Sequence, residues 1–358
     1  MTLPDPNYWR GRRVLITGHT GFKGGWLSLW LSQFGAQVTG YALPPEHQEG
    51  IYVAADVARG IVPVNGDLKD RSRLRHLIEL MRPDVIFHLA AQALVRRGHA
   101  DPLGTYMSNV MGTAEVLEAA RLSPFVRAVV VVTSDKVYEN IDEGRVFKEG
   151  DRLGGFEPYG VSKAAAEMIV TAFRQSLNGG GPAVASVRAG NVLGGGDFAE
   201  DRLVPDAIRA FRSYTPLEIR NPQSTRPWQH VLDPLAGYIM LAERLGEGDP
   251  MWRRAWNFGA ETAAPVYTLA DKMVELWNRA GISEASWVSS ADPTAPYEAK
   301  VLALDSTETR DSLDWWPRLG LTDALSWTMD WYIAQAMGES MYGTSAAMID
   351  SYMGLDTV

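Results

Sequence analysis

Short apolar runs alternate with helical patterns over the first half of the chain. Six runs rich in β-branched residues end at polar or glycine-rich positions, as buried strands do, at residues 13–18, 37–43, 61–68, 84–91, 128–134 and 183–191. Between them, apolar positions recur at helical spacing over residues 24–35, 72–82, 112–122 and 162–177. This alternation predicts an α/β fold, with a doubly wound parallel sheet covered by helices on both faces.

The second half of the chain loses this alternation. From about Gly194 onward it is rich in Gly, Pro, Trp and Arg, and helical patterns are scattered, as at 267–281 and 322–337. Because ligands bind over the carboxyl ends of the strands in such sheets, we expect a smaller C-terminal substrate-binding lobe there. The expected division is a sheet domain of residues 1–187 and about 228–258, a lobe of residues 188–227 and 259–340, and a tail of residues 341–358.

Composition narrows the class of partner. The 358 residues favour two domains or one domain with an added lobe. A net charge of -9 argues against a nucleic acid or an anionic membrane as the main partner. There are no cysteines, which removes thiolate chemistry and is compatible with a reducing compartment, and no apolar segment reads as a leader or a spanning helix. We therefore expect a cytoplasmic protein, and the six histidines have no metal-ligand spacing, so we expect no metal site.

A glycine-rich segment, TGHTGFKGGW, follows the first predicted strand and opens the first helix. Its glycines at 18, 21 and 24 allow a tight turn and a close approach to a pyrophosphate at the helix N-terminus. In this context the pattern favours a dinucleotide site over a turn that binds nothing. Asp67 either accepts hydrogen bonds from adenine or ends a strand as a turn residue. The second strand ends in GYAL, which supplies neither the acid typical of NAD sites nor the arginine typical of NADP sites.

Candidate proton-transfer groups follow the fifth strand. Ser134, Asp135 and Lys136 end an apolar run, and Tyr159 and Lys163 share one face of a predicted helix. An ammonium beside a phenol favours the ionised phenol, which with a hydroxyl suits removal of an alcohol proton while hydride leaves the carbon. The alternatives are surface positions for the tyrosine and lysine, and a solvated ion pair for the acid and its neighbour.

Five segments, TGHTGFKG, HLAAQALV, TSDKVY, YGVSK and RAGNVLGGGD, resemble the extended short-chain dehydrogenase/reductase family, or NAD-dependent epimerase/dehydratase family. The segments GHTGFKGGWLSLWL, DRLVPD, RPWQHVLDPLAGY and WNFG extend the likeness to its nucleotide-sugar 4,6-dehydratases, from about Arg13 to Trp331. The resemblance implies a Rossmann-like fold, NAD as cofactor and dehydration of a nucleotide-activated hexose. The expected substrate is CDP-D-glucose and the expected product CDP-4-keto-6-deoxy-D-glucose.

The resemblance also implies catalytic roles. The family's hydroxyl, tyrosine and lysine fall on Ser134, Tyr159 and Lys163, and a dehydratase needs a second acid/base pair, for which Asp135 and Lys136 stand in place. Related dehydratases usually have glutamate where this chain has Lys136, so the division of roles between the two stays open. A nucleotide-sugar 4-epimerase, a 4,6-dehydratase for another nucleotide sugar and a dinucleotide-sensing binding protein remain alternatives.

Binding residues follow from the same likeness and from motif context. The expected cofactor contacts are Gly18, Thr20, Gly21, Phe22, Lys23, Gly24, Asp67, Leu68, Ala90, Ala91, Tyr159 and Lys163. The expected substrate contacts are Gln92, Arg96, Asn191, Arg202, Leu203, Arg226 and His230. Arg202 and Arg226 are the candidates for holding the diphosphate of a substrate on an acidic protein, and Gln92 and Arg96 are expected near the hexose or its phosphate. The family often pairs through helices near residues 105–121 and 158–176, so we expect a homodimer, although packing against the sheet would explain the same apolar residues.

Overall fold

The computed structural model describes residues 2–140, 144–176, 180–260, 263–290 and 302–355. Its strands are β1 (Arg13–Thr17), β2 (Gln37–Ala42), β3 (Val62–Asn65), β4 (Val85–His88), β5 (Ala128–Val132), β6 (Val146–Phe147), β7 (Ala183–Ala189), β8 (Asn191–Leu193), β9 (Leu217–Ile219), β10 (Thr225–His230), β11 (Ala255–Phe258), β12 (Ala263–Pro265), β13 (Trp287–Ser289) and β14 (Ala303–Leu304).

The helices alternate with the strands over the first half of the chain. They are α1 (Pro6–Trp9), α2 (Phe22–Gln33), α3 (Ile51–Ala54), α4 (Arg71–Met81), α5 (Val95–Ala100), α6 (Pro102–Tyr106), α7 (Gly112–Leu122), α8 (Pro158–Ser176), α9 (Leu203–Arg212), α10 (Leu232–Glu247), α11 (Val266–Ala280), α12 (Thr307–Leu313), α13 (Leu321–Ala336) and α14 (Met341–Met353). A π-helical turn, Met107–Met111, joins α6 to α7, and 3₁₀ turns lie at Val57–Gly60, Asp135–Val137 and Pro250–Trp252.

The central sheet is parallel and has the strand order β11-β7-β5-β4-β1-β2-β3. The chain runs outward in one direction from β1 through β3 and in the other from β4 onward, so the order reverses between β1 and β4. Ligands bind at such a reversal, outside the carboxyl ends of the strands. The predicted Rossmann-like doubly wound α/β fold is confirmed, and all six predicted strands are present, whereas β11 was not recognised as a strand in the sequence.

Both faces of this sheet are buried, which explains why its strands are apolar throughout. On β5, Val130 packs on the side of α2 and α10, whereas Val129 and Val131 pack on the side of α4, α7 and α8. Successive side chains of a strand point to opposite faces, so helices on both sides leave no polar position in the middle of the strand. The polar groups of β5 therefore appear only where the strand ends.

The second half builds smaller sheets over these carboxyl ends, with the orders β12-β10-β8 and β13-β9, while β11 returns to the large sheet beside β7. Only Gly190 separates β7 from β8, so the chain passes directly from the central sheet into the lobe. The predicted smaller C-terminal lobe fits this arrangement, and its exact domain boundaries stay a prediction. Within the described residues, no helix has both the length and the apolar character needed to cross a membrane.

The expected tail at 341–358 is in fact largely a helix, α14, which packs against α2, α3 and α13. Ile349 and Tyr352 are buried, and the Tyr352 hydroxyl donates to Asp233 Oδ1 at 2.9 Å. Arg318 also donates to the Tyr352 carbonyl at 2.9 Å. Scattered Met, Ser and Gly positions hide the helical period in this stretch, and residues 356–358 lie outside the described part of the chain.

Candidate active site

Two glycines allow close contacts between the turn after β1, the segment after β4 and the first turn of α2. Gly18, just after β1, has a φ of +80°, and a Cβ there would lie 2.6 Å from the backbone nitrogen of Ala90, just beyond β4. A Cβ on Gly24, in the first turn of α2, would lie 2.1 Å from the carbonyl oxygen of Gly18. Among the described residues no side chain caps α2 at Gly21, so the first N–H groups of this helix remain available to an anion. These residues fit the pyrophosphate of a dinucleotide.

A cavity of about 470 Å³ opens over this turn and the carboxyl ends of β1, β4 and β5. All of the cofactor contacts predicted from the sequence line its wall, from Gly18 through Gly24 to Lys163, including Asp67, Leu68, Ala90 and Ala91. Gln92 and Arg202 are the predicted substrate contacts that also line it. The sequence therefore located one continuous surface, although the part that each residue plays there stays a prediction.

No acid stands at the end of β2 itself, where one often binds the ribose of a dinucleotide. Tyr41, Ala42 and Leu43 line the cavity there, and Thr20 Oγ1 donates to the Leu43 carbonyl at 2.9 Å. The Arg97 side chain forms an ion pair at 2.8 Å with Glu46, and both residues line the cavity. The sequence predicted Arg96 as a contact and not Arg97, because nothing in the spacing distinguishes the two arginines.

The Tyr159–Lys163 pair lies in the first turns of α8, with both side chains buried. The Glu157 carboxylate accepts hydrogen bonds from the backbone N–H groups of Tyr159 and Gly160, each at 2.7 Å, and so caps the helix directly before Pro158. Lys163 Nζ donates to the carbonyl of Val132, the last residue of β5, at 3.1 Å. The helix start and the strand end thus hold the phenol and the ammonium together.

Burial dominates the proton affinity of both groups. It raises the pKa of Tyr159 to about 12, against the opposing effect of a hydrogen bond with Ser134. It lowers the pKa of Lys163 to about 8. The sequence predicted a depressed phenol pKa, and the structure gives the opposite, because the loss of solvent around Tyr159 outweighs the nearby positive charge of Arg202.

Ser134, Asp135 and Lys136 lie where β5 ends and a 3₁₀ turn begins. Ser134 Oγ donates to Asp135 Oδ1 at 2.9 Å and accepts from the Lys136 backbone N–H at 3.2 Å. Asp135 is buried, and burial raises the pKa of its carboxyl group. Its Oδ2 lies 3.6 Å from the position of a Cβ on Gly190, so the carboxyl group sits between the central sheet and the lobe strands β8 and β10. A buried carboxyl group with a raised pKa is suited to donate a proton.

Two of the predicted substrate contacts near the cavity are partly committed to other partners. Arg202 donates to Asp197 Oδ2 at 2.9 Å and keeps its place in the cavity wall. The Gln92 carboxamide is used within its own loop, where Nε2 donates to the Leu94 carbonyl at 3.0 Å and to Thr105 Oγ1 at 2.9 Å. Arg96 pairs with Asp201 at 3.1 Å and is not among the described residues that line the cavity.

The other four predicted substrate contacts lie outside the described cavity wall. Asn191 on β8 and Arg226 on β10 are half-buried on neighbouring lobe strands, and Leu203 begins α9. His230 is fully buried, accepts from the Leu232 N–H at 3.3 Å and packs edge-on against Trp327. The structure therefore does not bring His230 to the cavity.

Sequence reasoning missed Asn109, which holds the loop after β4 against α8. Its Nδ2 donates to the Gln92 carbonyl at 2.9 Å and to Ser162 Oγ at 2.8 Å, and its Oδ1 accepts from the Gln92 N–H at 2.8 Å. Asn109 lies in the π-helical turn, a feature that is frequent near functional sites and that hydrophobic periodicity does not reveal. Within the described residues, no group of three or more acidic or histidine side chains is arranged to hold a metal ion.

The site combines a glycine-rich turn after β1, a buried tyrosine and lysine on α8, and a hydroxyl at the end of β5. This combination defines a dinucleotide-dependent site of the short-chain dehydrogenase/reductase class. The family model described as GDP-mannose 4,6 dehydratase matches residues 15–328. The chain belongs to this family, which confirms the resemblance seen in its motifs.

Known proteins give the same assignment. The chain is 43% identical to CDP-glucose 4,6-dehydratase of Salmonella typhimurium, over 99% of both chains. It is 25% identical to dTDP-glucose 4,6-dehydratase of Xanthomonas campestris pv. campestris, over 89% of this chain and 92% of the relative. The solved structure of dTDP-glucose 4,6-dehydratase from Bacillus anthracis, in complex with NAD, has the same fold, with a TM-score of 0.76 and 19% identity over 93% of this chain and 100% of that chain.

Proposed function

We propose that this protein is an NAD-dependent 4,6-dehydratase that converts CDP-D-glucose to CDP-4-keto-6-deoxy-D-glucose. The similarity to CDP-glucose 4,6-dehydratase over 99% of both chains supports the substrate. The observation that carries the reaction type is Asp135, a buried carboxyl group with a raised pKa, next to Ser134 at the end of β5. Exchange of configuration at C4 needs only oxidation and reduction, whereas loss of water across C5 and C6 also needs a proton donor for the departing hydroxyl.

The cofactor in this proposal is NAD. When bound in this cradle, NAD would supply the hydride acceptor and donor that oxidation at C4 and reduction at C6 require. The contacts at Gly18 and Gly24 leave no room for side chains where a pyrophosphate would approach, and the first turn of α2 offers its N–H groups there. The NAD named in the solved dTDP-glucose 4,6-dehydratase supports this choice of dinucleotide.

Tyr159 acts as the base for the C4 hydroxyl. With its pKa raised to about 12 by burial, the phenol requires positive charge nearby before it can ionise at neutral pH. We assign that role to Lys163, which lies four residues along α8 from Tyr159 and is held against the end of β5, because the charge of Arg202 already contributes to the value of about 12. Ser134 connects the two acid/base groups, since its hydroxyl donates to Asp135 and also forms a hydrogen bond with the Tyr159 phenol.

Asp135 and Lys136 carry out the dehydration. Once C4 is a ketone, the C5 proton becomes acidic, and Lys136 or a neighbouring group removes it. Asp135 donates a proton to the C6 hydroxyl, which leaves as water, and burial raises the pKa of this carboxyl group, which favours its protonated form. A proton from solvent is then added at C5 when C6 is reduced. Arg202 contacts the diphosphate of the substrate, and Arg96, Asn191, Leu203 and Arg226 line the approach from the lobe.

The test is to incubate the purified protein with CDP-D-glucose, with and without added NAD, in water and in deuterium oxide. We expect a 4-keto sugar that absorbs in alkali, a product mass lower by one water, and one solvent deuterium at C5. Asp135→Asn should keep NAD binding and lose water elimination, whereas Tyr159→Phe should lose both oxidation and elimination. Turnover of GDP-mannose, dTDP-glucose or UDP-glucose but not CDP-D-glucose would reassign the substrate, and a C4 epimer without loss of water would refute the dehydratase proposal.

We also propose that the protein is a homodimer. Large apolar side chains remain exposed on the helices that lie beside α8 and on α8 itself, at Leu103, Met107, Met111, Val161 and Met168. The α6, π-helical and α7 segments pack against α8, so these side chains lie on adjoining helices. A second copy that presents the same face would remove this surface from water. The cytoplasmic location expected from the sequence stays a prediction.

A further inference from the structure

A buried carboxylate lies directly behind the catalytic helix face. Glu167 follows Lys163 by four residues on α8 and is fully buried. Its carboxylate accepts hydrogen bonds from three side chains, namely Thr133 Oγ1 at 2.6 Å, Ser186 Oγ at 2.7 Å, and Arg188 Nε and a terminal guanidinium nitrogen at 3.0 and 2.9 Å. Both oxygens are therefore saturated, as a buried charge requires.

These hydrogen bonds end at the segment that carries the reaction. Thr133 stands between Val132, whose carbonyl accepts from Lys163 Nζ at 3.1 Å, and Ser134, whose hydroxyl meets Tyr159. The Thr133 N–H also donates to the carbonyl of Val187 on β7 at 2.9 Å. Because Thr133 is fixed on both its side chain and its backbone, the carbonyl before it and the hydroxyl after it are fixed as well.

Charge links the same groups. Among the described residues, the titratable groups that act on Lys163 or feel its charge are Glu167 from α8, Lys23 from α2 and His88 from β4. Burial lowers the pKa of His88 to about 3, so that ring is neutral, and the charge of Lys23 opposes that of Lys163. Glu167 is the acid that raises the pKa of Lys163 against burial.

Besides Lys163, two cations in the described part of the chain face Glu167. Arg188 lies on β7 and binds it through two hydrogen bonds, and Arg174 lies further along α8. Burial raises the pKa of Glu167, but the attraction of Arg188 and the hydrogen bonds to the carboxylate outweigh it and leave the pKa below its usual range. The carboxylate is therefore charged throughout the neutral pH range.

We propose that Glu167 is a positioning residue for the reaction, which fixes the carboxyl end of β5 through Thr133 and holds the Lys163 ammonium in its charged form beside Tyr159. The inference rests on the proposed function, because it requires Tyr159 to act as a base. Of the two protons on Tyr159 and Lys163, the first leaves near the pKa of the lysine, because burial raises the pKa of the phenol to about 12 and lowers that of the lysine to about 8. In the active form Tyr159 is a phenolate and Lys163 an ammonium; in the competing form Tyr159 is a neutral phenol and Lys163 a neutral amine. The negative charge of Glu167 favours the active form, because it stabilises the ammonium.

The decisive variant is Glu167→Gln, which keeps the shape and removes the charge. Without that charge the first proton leaves at lower pH, and less of the remaining proton resides on Lys163. An opposite charge at close range shifts a pKa by about 1 unit or more. In Glu167→Gln the midpoint of the acid limb should therefore fall by about 1 pH unit, and the plateau rate should fall about tenfold. The measurement is the pH profile of cofactor reduction in a single turnover with CDP-D-glucose.

Ser186→Ala is the matched control, because it removes one hydrogen bond to Glu167 and leaves every charge in place. Its acid limb should coincide with that of the wild type. If Glu167→Gln fails to fold because Arg188 loses its partner, Thr133→Val supplies a second test. This variant removes the side-chain hydrogen bond from Thr133 to Glu167 and keeps the charges of Glu167 and Lys163. We expect this variant to lower kcat with an unchanged KM and an unchanged midpoint.

The outcomes separate the inference from the proposed function. An unmoved midpoint in a folded Glu167→Gln protein, even with a lower plateau, would mean that Glu167 serves stability alone and would overturn the inference, as would an unchanged kcat in Thr133→Val. A wild-type protein that turns over none of the nucleotide sugars would instead defeat the proposed function.

Discussion

The turn between β1 and α2 offers a direct test of the cofactor cradle, because two of its glycines differ in the space around them. A Cβ on Gly24 would lie 2.1 Å from the carbonyl oxygen of Gly18, whereas a Cβ on Gly21 would lie 3.4 Å from the same oxygen. Atoms make good contact at about 3.5–4.0 Å, so Gly24→Ala must move the backbone by more than about 1 Å, while Gly21→Ala needs almost no movement.

The cost follows from what the new methyl group meets. The obstructing atom belongs to the backbone, so no side-chain rotation relieves the overlap. Overpacking of this kind costs about 1–3 kcal/mol and sometimes more, and alanine recovers about 1 kcal/mol of it as the better helix former. We expect Gly24→Ala to lose about 1–2 kcal/mol of unfolding free energy. At Gly21, where φ is −83° and the residue caps α2, alanine should cost about 1 kcal/mol or less.

Cofactor binding should separate the two variants further. A misplacement of about 1 Å can cost up to about 100-fold where a ligand depends on fixed geometry, so Gly24→Ala should bind NAD at least about tenfold more weakly. Urea unfolding gives the stability of each variant, and calorimetric titration with NAD gives the affinity. Equal stability and equal NAD affinity for Gly24→Ala and the wild type would refute the argument that this turn is closed to side chains.

Three further predictions concern other parts of the chain. Burial raises the pKa of Asp233 to about 7, so the folded protein keeps a proton that the unfolded chain loses. The stability of the wild type relative to Asp233→Asn should therefore fall by about 2–3 kcal/mol between pH 5 and pH 8. Urea unfolding at both pH values measures this difference. Arg202→Gln should raise KM for the nucleotide sugar about tenfold or more and change kcat less, since it removes a charge that binds the diphosphate in ground and transition state alike; an unchanged KM in steady-state kinetics would exclude this contact. The double variant Met107→Glu and Met168→Glu should sediment as a monomer at concentrations where the wild type is a dimer, and a monomeric wild type would exclude the dimer.

The predictable part of this fold is the part in which one residue pattern has one structural solution. β5 is apolar on both faces because helices cover both, and its sequence therefore ends abruptly at Ser134, which marks the site. The glycines at 18 and 24 are equally informative, because no other residue fits the observed contacts. These signals are local, so they can be read without knowing what packs against them.

The rest depends on contacts between distant parts of the chain. Arg97 rather than Arg96 reaches the cavity because of the direction of a short helix, and His230 is buried because α13 covers it. The pKa of Tyr159 depends on how completely its surroundings exclude water, which spacing along a helix does not reveal. Sequence patterns name the chemical groups that are present, and packing decides which of them face the cavity.

The end of β5 brings the separate requirements of the reaction onto one rigid element. Consecutive side chains of an extended segment point in different directions, so Thr133 reaches inward to Glu167, Ser134 meets Tyr159, and Asp135 turns towards Gly190 and the lobe. A shift of one residue in the pairing of β5 with β7 would reverse these directions together. The hydrogen bond from the Thr133 N–H to the Val187 carbonyl extends that pairing one residue beyond the strand, so it fixes the register at the point where oxidation at C4 and elimination at C5 and C6 must act on the same sugar.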